Sequence, residues 1–198
     1  MPGVLYILIS YLVGSILGGY ILARALKLKD FAKVDLPGAA GTTRQTNSII
    51  LGILVGLFDA LKGSLIVLLG KFLNLNLSVI VAGALFCVAG HNWPVFFKFK
   101  GGGGLATSIG TGLVLVPKLT GLSLGVAVIF GLIYSRFLRK MVPSILRTTA
   151  PAAGGAVGVL ILVVLSLIQN ASTELIIFCW GLMLVVYLKA IQRKISHN

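Results

Sequence analysis

The chain has 198 residues, 58% of them hydrophobic and only 11% charged, and its 17 Lys and Arg against 4 Asp and Glu give a net charge of +13. A soluble domain carries about 45–50% apolar and about 25% charged residues, so there is too little polar side chain here to coat a water-facing globule. A secreted or cytosolic globular fold is excluded, and the composition implies one integral membrane unit over 1–198, an all-α polytopic helix bundle.

On a soluble protein the excess of bases would suggest nucleic acid. Here they sit in short stretches between apolar segments, so they read as orientation signals and as contacts for anionic lipid or phosphate, with no nucleic-acid partner. Cys87 and Cys179 lie far apart inside apolar runs. They read as small core residues, with no spacing for a disulfide or a metal site, and no cofactor is expected. The first twenty or so residues are apolar without a basic leading region, which reads as a retained helix and not a cleaved signal peptide.

A bilayer core of about 30 Å needs roughly 17–25 apolar residues per helix. Seven spans are predicted, at 3–23, 48–70, 77–97, 104–117, 119–135, 150–168 and 174–188. The fourth is short and reads as a tilted or partial helix whose ends line a cavity within the protein. The first connection holds Arg24, Lys27, Lys29, Lys33 and Arg44, the third Lys98 and Lys100, the fifth Arg136, Arg139, Lys140 and Arg147, and the tail Lys189, Arg193 and Lys194. The intervening connections hold only Lys71 and Lys118. By the positive-inside rule the N-terminus lies outside and the C-terminus in the cytoplasm. Glycines four apart (Gly14 and Gly18, Gly52 and Gly56, Gly121 and Gly125, Gly154 and Gly158) read as close helix–helix packing.

Two polar clusters interrupt the apolar pattern. The first, 37–47, runs Pro37, Gly38, Ala39, Ala40, Gly41, Thr42, Thr43, Arg44, Gln45, Thr46, Asn47 just ahead of a hydrophobic helix. Its glycines allow successive backbone N–H groups to turn toward one point, and its Thr and Arg donors suit phosphate oxygens. Read alone, it fits an ordinary helix start capped by Thr46 or Asn47 slightly better. The second, 90–107, contains Gly90, His91, Pro94, Lys98, Lys100, four consecutive glycines at 101–104, and Thr107. Four glycines offer no side-chain packing and cost backbone entropy, so their use is a close backbone approach to a ligand flanked by two lysines. Asp59 and Lys62, three apart within the second span, are costly at membrane depth unless paired, and read as a structural ion pair. Both glycine clusters and the basic 136–149 stretch fall on the side assigned to the cytoplasm, which suits a phosphorylated metabolite beside grooves that accept an acyl chain.

Gly90-His91-x-x-Pro94-Val95-Phe96-x-x-Phe99-Lys100-Gly101-Gly102-x-Gly104-x-Ala106-Thr107 closely resembles the signature GHxxPVFxxFKGGKGVAT of the bacterial acyl-phosphate:glycerol-3-phosphate acyltransferases, the PlsY family. Tyr11-Leu12-x-Gly14-Ser15-Ile16, Phe58-Asp59-x-Leu61-Lys62-Gly63 and Gly38-x-x-Gly41-x-Thr43 are similar to further segments of that family. The chain departs from the pattern at Pro37, Ala39, Arg44 and Asn47, and at Gly103, which stands where the family carries the lysine of GGKG. The fifth connection keeps only Ser144 of its usual serines, and the tail lacks the family's polar ending.

The resemblance implies transfer of a fatty acyl group from acyl-phosphate to the 1-hydroxyl of glycerol 3-phosphate, giving lysophosphatidic acid for phospholipid synthesis in the bacterial inner membrane. The partners are then these two substrates and membrane lipids, with the site facing the cytoplasm. An acyl-phosphate is already activated, so the protein's part is positioning and charge neutralisation. His91 and Arg44 are the candidate catalytic residues, His91 by orienting the glycine loop and Arg44 by replacing the missing lysine's charge. Lys100, Gly101, Gly102, Gly103 and Gly104, with Gly38, Gly41, Thr43 and Thr107, are the candidate phosphate contacts. Two other readings stand beside this one: a diverged, catalytically impaired relative that binds lipid phosphate or a membrane partner, and a small anion transporter, which would show inverted repeats and mid-membrane substrate groups.

Overall fold

The computed structural model describes residues 2–27, 38–141 and 149–196. Pro37 and Ser144 lie outside the described residues. Nine α-helices occur among those described: α1 (Pro2–Gly14), α2 (Gly18–Ala25), α3 (Ala39–Thr46), α4 (Ile49–Phe72), α5 (Leu77–Asn92), α6 (Leu105–Leu115), α7 (Pro117–Ile133), α8 (Ala150–Ile168) and α9 (Thr173–Ser196). A 3₁₀ turn at Val95–Phe97 follows α5, and a π turn at Tyr134–Leu138 extends α7. Among the described residues five helical stretches are long and apolar enough to cross a bilayer, and the bent pair α1–α2 makes a sixth. The eleven residues of α6 reach about 16 Å, roughly half a hydrocarbon core. This is the partial helix that its short apolar run predicts.

Two elements differ from expectation. The first span is not continuous: it breaks at 15–17 and bends by 43°. Glycine favours helix poorly, and Ser15 turns its hydroxyl back to the carbonyl of Tyr11 (2.9 Å), a contact that bends helices. The segment expected as a glycine-lined loop is instead the helix α3, with Gly41 inside it and only Gly38 extended at its start. The hydroxyls expected to reach outward back-bond within this helix, Thr43 to Ala39 O (3.1 Å) and Thr46 to Thr42 O (2.8 Å). The cap of the next helix falls on neither Thr46 nor Asn47. Asn47 turns the chain with a φ of 51°, and the Ser48 hydroxyl accepts from Leu51 N at 3.3 Å.

Packing follows from the small residues. α4 and α5 are antiparallel neighbours, Gly70 facing Ile80 and Lys62 facing His91, whereas α6 runs parallel to α4, Ser64 donating to Gly110 O at 3.0 Å. α1 lies parallel to α5, with Gly3 against Val79 and Gly14 against the Cys87 carbonyl. A glycine is required at 14, because a Cβ there overlaps backbone rather than a movable side chain. The core between α4, α5, α8 and α9 is built on Val67, Ala84, Val88, Val163, Phe178 and Leu182, while the outer faces carry exposed Leu and Ile suited to lipid.

This arrangement brings the C-terminal ends of α2, α5 and α9 and the N-terminal ends of α4, α6 and α8 to one end of the bundle. Arg24, Lys98, Lys100, Arg136, Arg139 and Arg193 gather there, and Lys71, Lys118 and Glu174 occupy the other. Gly14→Ala is expected to destabilise the protein by about 1–3 kcal/mol, read as a lower thermal-unfolding midpoint in detergent micelles. Gly121→Ala, where nothing lies within 4 Å of an added Cβ, should leave the midpoint unchanged.

Candidate functional site

The site is organised around a buried ammonium. Lys62 Nζ lies 3.0 Å from Asp59 Oδ1, donates to the carbonyls of Gly14 (2.9 Å) and Ile16 (2.7 Å), and lies 3.0 Å from Nδ1 of His91. Asp59 Oδ1 is 3.4 Å from the same imidazole nitrogen. These three side chains are almost wholly buried. The break in the first span leaves backbone carbonyls without helical partners at membrane depth, and Lys62 supplies the missing donors. The carboxylate of Asp59, one turn back on α4, balances the charge.

His91 connects this centre to the glycine run. Its carbonyl accepts from Gly102 N at 2.9 Å, and its Nε2 sits so close to Gly102 that a Cβ there has no room. The neighbouring residues tie the same segment to three helices. Tyr11 of α1 donates its hydroxyl to Trp93 O at 2.6 Å, and Tyr20 of α2 stacks on Phe97 with ring centroids 4.1 Å apart. From α9, Val185 O accepts from Asn92 Nδ2 (3.1 Å), Gln192 accepts from Trp93 Nε1 (2.8 Å), and Arg193 Nη2 donates to Gly101 O (3.0 Å). Lys189 lies over the Trp93 ring at 5.6 Å. Gly104 adopts the left-handed φ of 77° that favours glycine and opens α6, which has no side-chain cap. The glycine run therefore ends at a helix N-terminus whose leading N–H groups have no intrahelical partner, an arrangement suited to an anion.

The residues singled out from sequence fall into three groups. His91, Gly101, Gly102, Gly103 and Gly104 lie together, buried except for the half-buried Gly103, with Lys100 exposed beside them. Thr107 is fully buried one turn into α6, its carbonyl against Gly63 and its hydroxyl without a hydrogen-bond partner among the described residues. Gly41, Thr43 and Arg44 belong to α3, with Gly38 extended just before it, and α3 packs on the first two turns of α4 with Ala39 against Gly56 and Thr43 against Gly52. Asp59 follows Gly56 by about one helical turn, so α3 lies at the same end of the bundle as the glycine run, with Arg44 exposed. Sequence reasoning missed the face of α9. Lys189, Gln192 and Arg193 are spaced i, i+3 and i+4, one side of a helix. That spacing is the available signal, and the basic tail masks it because its charges equally suit a membrane border. Among the described residues, no three His, Cys, Asp or Glu side chains converge to hold a metal ion.

A family model described as glycerol-3-phosphate acyltransferase matches residues 4–197. The chain belongs to the glycerol-3-phosphate acyltransferase family. Among relatives, glycerol-3-phosphate acyltransferase 5 of Dehalococcoides mccartyi is 39% identical over 138 residues, covering 69% of this chain and 57% of that protein. The matched part thus spans little more than half the length of that relative. The glycerol-3-phosphate acyltransferase of Endomicrobium trichonymphae is 33% identical over 189 residues, covering 92% of this chain and 85% of its own. In three dimensions the fold is that of the crystal structure of PlsY (YgiH), an integral membrane glycerol 3-phosphate acyltransferase, in its glycerol 3-phosphate form. The TM-score is 0.80 at 23% identity, covering 100% of this chain and 94% of that one. Membership agrees with the resemblance carried by 90–107, and the all-helical membrane fold agrees with the apolar pattern. The relatives named here are bacterial.

Within this family member, Lys62→Met is expected to cost about 3–5 kcal/mol of stability by leaving Asp59 buried and uncompensated. The double variant Lys62→Met, Asp59→Leu should recover part of the loss, because no lone charge remains. Thermal unfolding followed by circular dichroism in micelles distinguishes the two.

Proposed function

We propose that the chain transfers a fatty acyl group from acyl-phosphate to the 1-hydroxyl of glycerol 3-phosphate, releasing lysophosphatidic acid and inorganic phosphate. A new ester bond forms between the glycerol oxygen and the acyl carbon, the bond from that carbon to the phosphate oxygen breaks, and a phosphate oxygen takes the hydroxyl proton. The observation that carries this reading is the glycine run at 101–104, pinned through Gly102 to the His91 carbonyl, half-buried at Gly103 and ending at the uncapped N-terminus of α6. Backbone N–H groups held in advance of reaction stabilise phosphate charge with little reorganisation, the contribution an already activated acyl donor requires.

The surroundings support an amphiphilic substrate. Phe96 and Phe99 are exposed beside Lys98 and Lys100, so an apolar strip for an acyl chain adjoins cations for its phosphate. His91 acts as a positioning residue through Gly102, Lys100 contacts phosphate directly, and Thr43 and Arg44 on α3 border the same end of the bundle. The whole chain, 1–198, works as one unit. It crosses the membrane seven times if α6 is counted, with the N-terminus outside and the basic end in the cytoplasm, where glycerol 3-phosphate is available. Family membership favours this reading over an impaired relative. The clustering of polar groups at one end of the bundle favours it over a transporter with a mid-membrane site.

The test is an assay of the purified full chain with palmitoyl-phosphate and labelled glycerol 3-phosphate. Lysophosphatidic acid and phosphate should appear in equal amounts. Gly102→Ala, which pushes the loop off His91, should lower kcat/KM by about 100-fold while leaving the unfolding midpoint within a few degrees. Turnover no faster than a protein-free control overturns the proposal.

A further inference from the structure

Gly103 is the position at which this chain lacks the lysine of the family pattern, and the structure shows what fills the space. A Cβ built on Gly103 would lie 3.1 Å from Nη1 of Arg193, tighter than an ordinary van der Waals contact. The same guanidinium donates through Nη2 to Gly101 O at 3.0 Å. One edge of the Arg193 fork is therefore fixed to the glycine run, and its other amino group lies in close contact with the point where the side chain of residue 103 would begin. Arg44, the cation singled out from sequence for this role, is exposed on α3, a separate element packed against α4.

We propose that Arg193, projecting from α9, provides the phosphate-binding cation that the family pattern places at position 103, and that glycine at 103 leaves the guanidinium its full room. The inference rests on the proposed phosphate-binding role of the glycine run. Arg is suited to the exchange: it stays charged, and its planar fork donates in two directions, holding the Gly101 carbonyl with one amino group while the other faces the anion. A lysine at 103 reaches phosphate from the loop itself. Arg193 approaches the same glycine run from α9. The two side chains would crowd each other, since the guanidinium must already give by a few tenths of an ångström to admit a Cβ at 103, so a single exchange should disturb the site and a reciprocal exchange should restore it.

The experiment uses the full chain in micelles with two readouts: acyl transfer from palmitoyl-phosphate, and binding of inorganic phosphate by titration calorimetry. Arg193→Ala should reduce kcat/KM by about 10–100-fold and weaken phosphate binding by a similar factor. Arg193→Lys should retain part of both. Gly103→Lys alone should also be impaired, whereas Gly103→Lys with Arg193→Ala should recover at least about tenfold over Arg193→Ala. Unfolding midpoints identify any variant that fails through folding, and for such a variant Arg193→Lys and the double exchange carry the comparison. Wild-type turnover and phosphate affinity in Arg193→Ala would overturn the inference and leave the proposed reaction intact, as would a folded double variant no better than Arg193→Ala. Arg193-dependent phosphate binding in a chain that transfers no acyl group would overturn the proposed reaction and leave the inference standing. A wild-type chain that neither binds phosphate nor turns over overturns both.

Discussion

The structure depends on one ammonium group in the membrane interior. Lys62 has Asp59, His91 and two backbone carbonyls around it, all within 3.0 Å. Each neighbour represents a different requirement: charge balance, contact with the site, and donors for a helix that has come apart. A lone lysine at this depth costs several kcal/mol. Its retention is explained by what its removal would expose, namely an unpaired carboxylate and carbonyls facing hydrocarbon. The bend at 15–17 in turn sets the course of α2 and so the stacking of Tyr20 on Phe97. The direction of the first helix pair and the placement of 91–104 thus answer to the same charge.

Much of this fold is legible in the amino-acid order because lipid imposes a simple constraint: backbone polar groups must be satisfied within the segment. Long apolar runs had to be helices, and α4, α5, α7, α8 and α9 lie where those runs fall. The shortness of α6 was also visible, since an apolar run of that length cannot cross unaided. The break in the first span was hidden, because its cause is distributed. Ser15 bends the helix locally, but only Lys62, far along the chain, makes the bend tolerable. α3 was hidden for the opposite reason: glycines and threonines that read as a turn satisfy their hydroxyls inside a helix of eight residues.

The candidate site was legible where its residues are contiguous and obscure where they are not. His91 and 100–104 form an unbroken string, and four glycines in a row admit few explanations other than close approach. The Asp59–Lys62 spacing marked a pair, but nothing in it indicated that His91 would join them. The contribution of α9 was the least visible, since Lys189 and Arg193 carry the same charge as residues that merely border a membrane. Only the hydrogen bond to Gly101 O and the proximity to Gly103 separate Arg193 from such residues.

The latch on 91–104 draws on Tyr11 near the beginning of the described chain and on Gln192 and Arg193 near its end. Membrane helices enter the bilayer in order as they are synthesised, so α4, α5 and α6 can assemble around Lys62 well before α9 arrives. Until then the glycine run has its floor but not its outer wall. A nascent or prematurely released polypeptide would therefore sit in the lipid with 91–104 held on one side only, and the segment would gain its remaining contacts only when the last helix docks.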